Sequence, residues 1–301
     1  MNRRDFIRDL AVGGAVLKFG PRLFAGGAGP AAQAQAPVLA VVEGESPALI
    51  TKEAVAALGG MKRFVSKGDR VLIKPNIGWD RTPEMAACTN PEVVKALVEL
   101  AQQAGAKKVT VIDNTTNQAK RCYVRSGILD AVQATGASMP YFDEYRVKKT
   151  ALKGEWLKEW EVVQDVLEAD KIINVPIAKH HSLCRLTMGM KNWLGALGGS
   201  RNQLHQSLDR AMVDLSAFFK PTLSVLDAYR ILVRNGPQGG RISDTKLTKM
   251  VVAGVDPVAV DAMGATFFDI KPQELLYLRL AKERGLGTFE LETLKVEKRK
   301  I

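Results

Sequence analysis

The sequence predicts an α/β protein: a mostly parallel sheet with helices on both faces, forming one domain or two intimate lobes. Three observations point there. Short apolar runs rich in β-branched residues recur along the chain, helical patterns with their own start and stop signals separate several of them, and polar residues gather directly behind the runs. Strands of a parallel sheet are buried on both faces and read as near-continuous apolar stretches, and alternation with helices favours parallel pairing.

The strand candidates are Val38–Val42, Arg70–Ile73, Val109–Ile112, Lys171–Val175, Thr222–Leu226 and Met250–Ala253. The clearest helix is capped by Thr89 or Asn90, takes Pro91 at its first position, turns Val94, Leu97, Val98 and Ala101 to one face, and stops at Gly105. Cap, early proline and terminal glycine agree with one another. A second helix starts near Pro257 with Val260, Met263 and Phe267 inward, and a third runs from near Pro272 to Gly285. Leu152–Trp160, with two tryptophans among charges, predicts a hairpin or an amphipathic cover. The loop Asn235–Gly240 is glycine-rich but lacks the Gly-Lys-Ser/Thr ending of a phosphate-binding loop, so it predicts a tight turn.

Polar side chains follow the runs: Lys74-Pro75-Asn76, Asp113-Asn114-Thr115, Pro176 to His181, Asp227 and Asp256-Pro257. In an open parallel sheet the ligand crevice lies outside the carboxyl ends of the strands, so these groups should converge although they are far apart in the chain. Asp and Asn after a strand also cap helices and make turns, which is the better account of Asp256. Lysine and histidine are not preferred caps, so Lys74 and the histidines carry more weight.

The first residues place Arg3-Arg4 before Phe6-Ile7, then a Gly/Ala-rich apolar stretch from Leu10 to Gly20, then the small-residue triplets Ala32-Gln33-Ala34 and Ala34-Gln35-Ala36. That order predicts a twin-arginine signal over residues 1–34, cut after Ala34, and a mature domain over 35–301. The partner it implies is the twin-arginine export machinery, and the location periplasmic or otherwise exported. The apolar stretch is too short to span a bilayer, so no stable membrane span is expected in the mature protein.

The formal charge is +11, and losing the five basic and two acidic side chains of residues 1–34 leaves +8. The cations are scattered apart from Lys295–Lys300, which reads as a solvated tail, so nucleic acid is excluded as a partner and a small anionic molecule favoured. Cys88, Cys122 and Cys184 lie more than thirty residues apart, which argues against an iron–sulfur cluster or a cysteine-rich zinc site within this chain. Cys184 is expected to be a small buried hydrophobe.

All three histidines, His180, His181 and His205, fall within a 27-residue window that opens on Lys179 and also holds Lys191 and Asn192. Imidazole moves protons near neutral pH and binds transition metals. Adjacent histidines on a strand point to opposite sides, so one of His180 and His181 should face the crevice, with His205 approaching on the helix after Gly199. Lys191, between Met-Gly-Met and Asn192-Trp193-Leu194, is a lysine in apolar surroundings, where burial lowers its pKa and makes it a nucleophile or an anion clamp.

These residues carry a resemblance. Ile172-Ile173-Asn174-Val175-Pro176, Lys179-His180-His181-Ser182-Leu183, Thr187, Lys191-Asn192, Gly195 and His205 resemble the family named domain of unknown function 362. Lys74-Pro75-Asn76, Asp113-Asn114, Asp227-Ala228, Gly236-Pro237 with Gly239, Asp256 to Asp261 and Gly285-Leu286-Gly287 extend the likeness over almost the whole mature chain. Where the family reads Lys-Thr-His, this chain reads Lys179-His180-His181, so His181 takes the family position. Many relatives carry a fused ferredoxin-type cysteine cluster that this chain lacks. His181, Lys191 and His205 are also similar, in order and spacing, to the histidines and the cofactor-tethering lysine of the nickel-dependent lactate racemase.

The leading expectation is a metal- or cofactor-dependent enzyme in which His181, Lys191 and His205 are catalytic. Lys74, Asn76, Asp113, Asn114, Lys179 and Asn192 would bind a small anionic substrate. A transition metal, nickel, zinc or iron, would sit on His181, His205, Asp227 and Asp261. The alternatives are a non-catalytic periplasmic protein that captures an anion or metal ion, and a structural module with its histidines satisfied in the core.

Overall fold

The computed structural model describes residues 38–142 and 146–301. The expected signal peptide therefore lies outside the described residues. The strands are β1 (Leu39–Glu43), β2 (Arg70–Pro75), β3 (Lys108–Val111), β4 (Val147–Ala151), β5 (Glu159–Val163), β6 (Lys171–Val175), β7 (Ile177–His181), β8 (Arg185–Thr187), β9 (Leu223–Leu232), β10 (Thr245–Gly254) and β11 (Val296–Lys300). The helices are α1 (Pro47–Ala57), α2 (Pro91–Gln103), α3 (Ala119–Arg125), α4 (Ile128–Gln133), α5 (Gln164–Glu168), α6 (Gly189–Asn192), α7 (Leu208–Phe219), α8 (Pro257–Thr266) and α9 (Leu276–Glu283).

Alternation within each strand builds two cores. Ala40, Val42, Val71 and Ile73 pack on one face against α1 and α2, while Leu39, Val41 and Leu72 belong to the other core with residues of α7, α8 and α9. This is the period-2 projection of strand side chains, and it places helices on both faces of one sheet, as the sequence predicts.

The sheet runs β11-β1-β10-β9-β6-β2-β3, with β7 beside β9 and β8 beside β7. The pairs β1·β11, β2·β3, β2·β6, β6·β9 and β7·β9 are parallel, whereas β1·β10, β9·β10 and β7·β8 are antiparallel. Pro176 separates β6 from β7, because proline has no N–H to continue the ladder. Its carbonyl accepts from the Asp227 N–H at 2.9 Å, so β9 pairs first with β6 and then with β7. Strand β7 thereby carries Lys179 and His181 outward from the end of β6.

Several helix starts follow the capping logic. Asn90 caps α2 by accepting from the Glu92 N–H at 2.9 Å, and Asp256 caps α8 by accepting from Val258 and Ala259 at 2.8 and 2.9 Å. Each such cap contributes about 1 kcal/mol. Residues 152–160 form the turn and the first two residues of the second strand of the β4–β5 hairpin, whose turn is pinned by the Asp214 carboxylate accepting from the N–H groups of Glu155, Trp156 and Leu157.

Two expectations need correction. Residues 295–300 are no solvated tail: Val296–Lys300 is an edge strand in parallel register with β1, its charges answered by Glu43, Glu53 and Glu297. Charged side chains are what a protected sheet edge carries, and the acidic partners Glu43 and Glu53 lie far away in the sequence. Strands β9 and β10 also run well beyond the apolar segments Thr222–Leu226 and Met250–Ala253, as a ribbon whose β10 half, Thr245–Lys249, is too polar to register as a strand. Among the described residues no helix is long and apolar enough to cross a membrane.

Candidate functional site

The exits of β2, β3, β6 and β7 meet over a polar floor. The Lys74 ammonium, fully buried, lies 2.6 Å from Asp113 Oδ1 and donates to Asn192 Oδ1 and the Pro75 carbonyl, both at 2.9 Å. Asp113 Oδ2 accepts from the Ile77 N–H at 2.6 Å. Burial draws the Lys74 amine below and the Asp113 carboxyl above its ordinary range, and each is the chief counterweight for the other. Removing one partner of such a buried pair costs roughly 3–5 kcal/mol.

Asn192 ties the floor together. Its Nδ2 donates to the Lys74 carbonyl at 3.0 Å and to Asn174 Oδ1 at 2.8 Å, while its Oδ1 also accepts from Asn76 Nδ2 at 3.2 Å. Asn192 and Lys191 end α6, whose first two N–H groups, Gly189 and Met190, are held by Asp261 at 2.7 and 3.0 Å. Gly195 follows at the crossing of these segments. A Cβ there would stand 1.8 Å from Asp113 Oδ1 and 2.6 Å from Lys74 Nζ, so only glycine fits.

Above the floor opens a cleft of about 470 Å³ lined by Asn76, Trp79, Asp113, Asn114, Lys179, His181, Lys191, Asn192, Arg201 and His205, among others. The structure brings together every residue expected to be catalytic, and every expected substrate-binding residue lines this cleft except Lys74, which lies beneath it. Asp227 and Asp261, expected as metal ligands, stand elsewhere. Asp227 accepts from the Asn90 and Tyr229 N–H groups at 2.7 and 3.0 Å, Asp261 holds α6, and neither lines the cleft. Burial raises their carboxyls to about 6 and about 7.

The adjacent histidines diverge as strand geometry requires. His180 Nδ1 accepts from the Gly236 N–H at 3.1 Å, whereas the His181 and His205 rings lie nearly parallel with centroids 6.4 Å apart. His205 comes from a 3₁₀ turn, Arg201–Ser207, ahead of α7. His181 Nδ1 accepts from the Leu183 N–H at 3.1 Å, so the neutral ring carries its proton on Nε2. His205 Nδ1 lies 3.2 Å from the Asn202 carbonyl, which can only accept, so His205 carries its proton on Nδ1 and presents a bare Nε2. One ring offers a donor and its neighbour an acceptor.

Burial, reinforced by Lys191 and Lys179, pushes His181 down to about 3. Burial and Lys191 also lower His205, and burial lowers Lys191 itself. Lys179, donating to Asn76 Oδ1 at 3.0 Å and the Ala87 carbonyl at 2.5 Å, is brought to about 7 by burial. Arg201, which sequence reasoning missed, donates to the carbonyls of Asn114, Leu194 and Thr115 at 2.9, 3.2 and 2.9 Å. It stands on the same 3₁₀ turn as His205, and its carbonyl partners leave no mark in the sequence. Trp79, also missed, forms part of the cleft wall and stands on an irregular segment with no periodicity to mark it.

The donor set does not suit a metal held by protein alone. Among the described residues no group of three or more His, Cys, Asp or Glu could hold a metal ion, and protein zinc sites, for example, use at least three protein ligands. All three cysteines are buried free thiols, with burial raising Cys88 to about 12 and Cys122 and Cys184 to about 11. The small buried role expected for Cys184 agrees with this.

These shifts give a pH prediction. The unfolded chain protonates His181 near pH 6.5 but the folded chain only near 3, so folding stability is lost as pH falls from 6.5 towards 3. NMR of the ring carbons should show one histidine that does not titrate between pH 5 and 8, and His181→Gln should flatten the acid limb of a denaturation profile. A normal titration of His181 near 6.5 would contradict the assignment.

Comparisons with known proteins agree with the resemblance drawn from the strand-exit motifs. A curated relative, the thylakoid-associated protein sll1697 of Synechocystis sp., is 28% identical over 238 residues, 76% of this chain and 72% of its own. Among solved structures, the lactate racemase apoprotein from Thermoanaerobacterium thermosaccharolyticum aligns with a TM-score of 0.46 and 13% identity, over 75% of this chain and 56% of the racemase chain. The model of the family described as Domain of unknown function (DUF362) matches residues 71–266, and this chain belongs to that family.

Proposed function

We propose that the cleft is the active site of an enzyme that binds a small anionic substrate and moves a proton on it between His205 and His181. The observation that carries this is the complementary tautomer pair, a bare Nε2 on His205 and an Nε2–H on His181, on two nearly parallel rings with centroids 6.4 Å apart. A base must be unprotonated and an acid protonated at the same pH, and unlike environments around two like groups achieve that.

The surrounding residues support this division of labour. Lys191, Lys179 and Arg201 hold the substrate's anionic group and stabilise charge that develops when a neighbouring C–H is deprotonated. Burial, reinforced by these cations, keeps both imidazoles neutral, which preserves His205 as a base. Lys74, Asp113 and Asn192 fix the floor rather than touch the substrate. No step is routed through a metal, because the donor set falls short of one.

The test is solvent deuterium exchange. Incubated in D₂O with a panel of short 2-hydroxy and 2-oxo carboxylic acids, the protein should catalyse exchange of at least one, at C2 of a 2-hydroxy acid or at C3 of a 2-oxo acid. His205→Gln and His181→Gln should each lower the rate by about 10²–10⁴-fold. Exchange indifferent to both substitutions, or a stoichiometric transition metal retained on His181 and His205, would contradict the proposal. A capture protein would share the cations but has no need of the complementary tautomers, and binding without exchange across the panel would favour it.

We also propose that residues 1–34 form a twin-arginine signal directing the protein to the periplasm. Support comes from the order of Arg3-Arg4, apolar stretch and small-residue triplets. In a bacterial host with that pathway, Arg3→Lys with Arg4→Lys should leave uncut precursor in the cytoplasm. Normal processing of the double variant would count against the signal.

A further inference from the structure

Several part-buried cations of this protein are answered by acids: Lys52 pairs with Glu99, Lys249 with Glu45 and Arg299 with Glu53. The more deeply enclosed cations of the cleft are not. The cleft lining holds a single carboxylate, Asp113, already neutralised by Lys74 at 2.6 Å. Three further cations line it without a carboxylate among the described residues.

Their surroundings differ in an informative way. Lys179 donates only to neutral oxygens, Asn76 Oδ1 and the Ala87 carbonyl, and is 1% exposed. Arg201 donates only to backbone carbonyls, on the β3-exit side of the cleft at Asn114 and Thr115. The Lys191 side chain, on α6, has neither a hydrogen bond nor an ion pair among the described residues. Enclosing cations without counter-charges is costly, and a fold that keeps them commonly has the missing charge brought by a ligand. One carboxylate cannot answer three cations held by separate segments.

Resting on the anion-cleft reading above, we propose that the ligand carries two anionic groups on a short backbone, a dicarboxylate or a phosphorylated carboxylate. Lys191 and Arg201 hold one group and Lys179 the other. The acidic C–H lies between them, where His181 and His205 face each other. A monoanion of similar size satisfies only one end.

Isothermal titration of the full chain at pH 7 and constant ionic strength tests this, with lactate as the monoanion and malate and phosphoglycolate as the dianions. At least one dianion should bind about tenfold or more tighter than lactate, the size of one well-placed charge contact. Lys191→Met should bring that dianion down to the lactate level, and Lys191→Arg should keep most of the preference, which guards against a simple loss of folding. Lactate binding as tightly as both dianions overturns the two-anion inference and leaves the anion cleft standing. Binding of none of the three overturns both. A folded Lys191→Met protein with undiminished dianion affinity overturns the assignment of Lys191.

Discussion

A buried lysine and a buried aspartate, 2.6 Å apart at the ends of β2 and β3, are the constraint on which the site is built. Neither charge is tolerable there alone, so the surrounding chain must converge to complete their hydrogen bonds. Asn192 reaches Lys74 from the end of α6, Ile77 donates to Asp113 from the strand exit, and Gly195 passes so close that it can have no side chain. Because Lys191 and Asn192 are neighbours, the residue that locks the floor also sets where the cleft's unpaired ammonium stands.

From this follows the electrostatic character of the cleft. With Asp113 neutralised by Lys74, burial of the rings, reinforced by Lys191, keeps both imidazoles neutral. Local hydrogen bonds then decide what each neutral ring can do. The Leu183 N–H takes one nitrogen of His181, and the Asn202 carbonyl takes the opposite role at His205. Burial and charge set the protonation state, while backbone hydrogen bonds set which nitrogen of each ring bears the proton.

Much of this was legible in the sequence. The apolar runs marked strands whose exits converge, and the crowding of all three histidines near Lys191 marked the cleft. What stayed hidden has common physical causes. Strand β11 lies in a charged stretch whose pairing partner, β1, is some 250 residues away, and edge strands carry little hydrophobic signal. Asp227 and Asp261 looked like ligands because they follow a strand or a helix cap, yet acids in such places commonly hold backbone N–H groups, as both do here. Arg201 was overlooked because its partners are carbonyls, which no sequence pattern displays.

The Lys74–Asp113 floor positions the cleft's cations and histidines. Gly195→Ala tests it most directly, since the added methyl meets Asp113 and Lys74 and nothing chemical is removed from the cleft. Measured by anion titration alongside an unfolding curve, the variant should fold with reduced stability and lose anion affinity by an order of magnitude or more. A folded Gly195→Ala protein that binds anions as tightly as the parent would contradict the account.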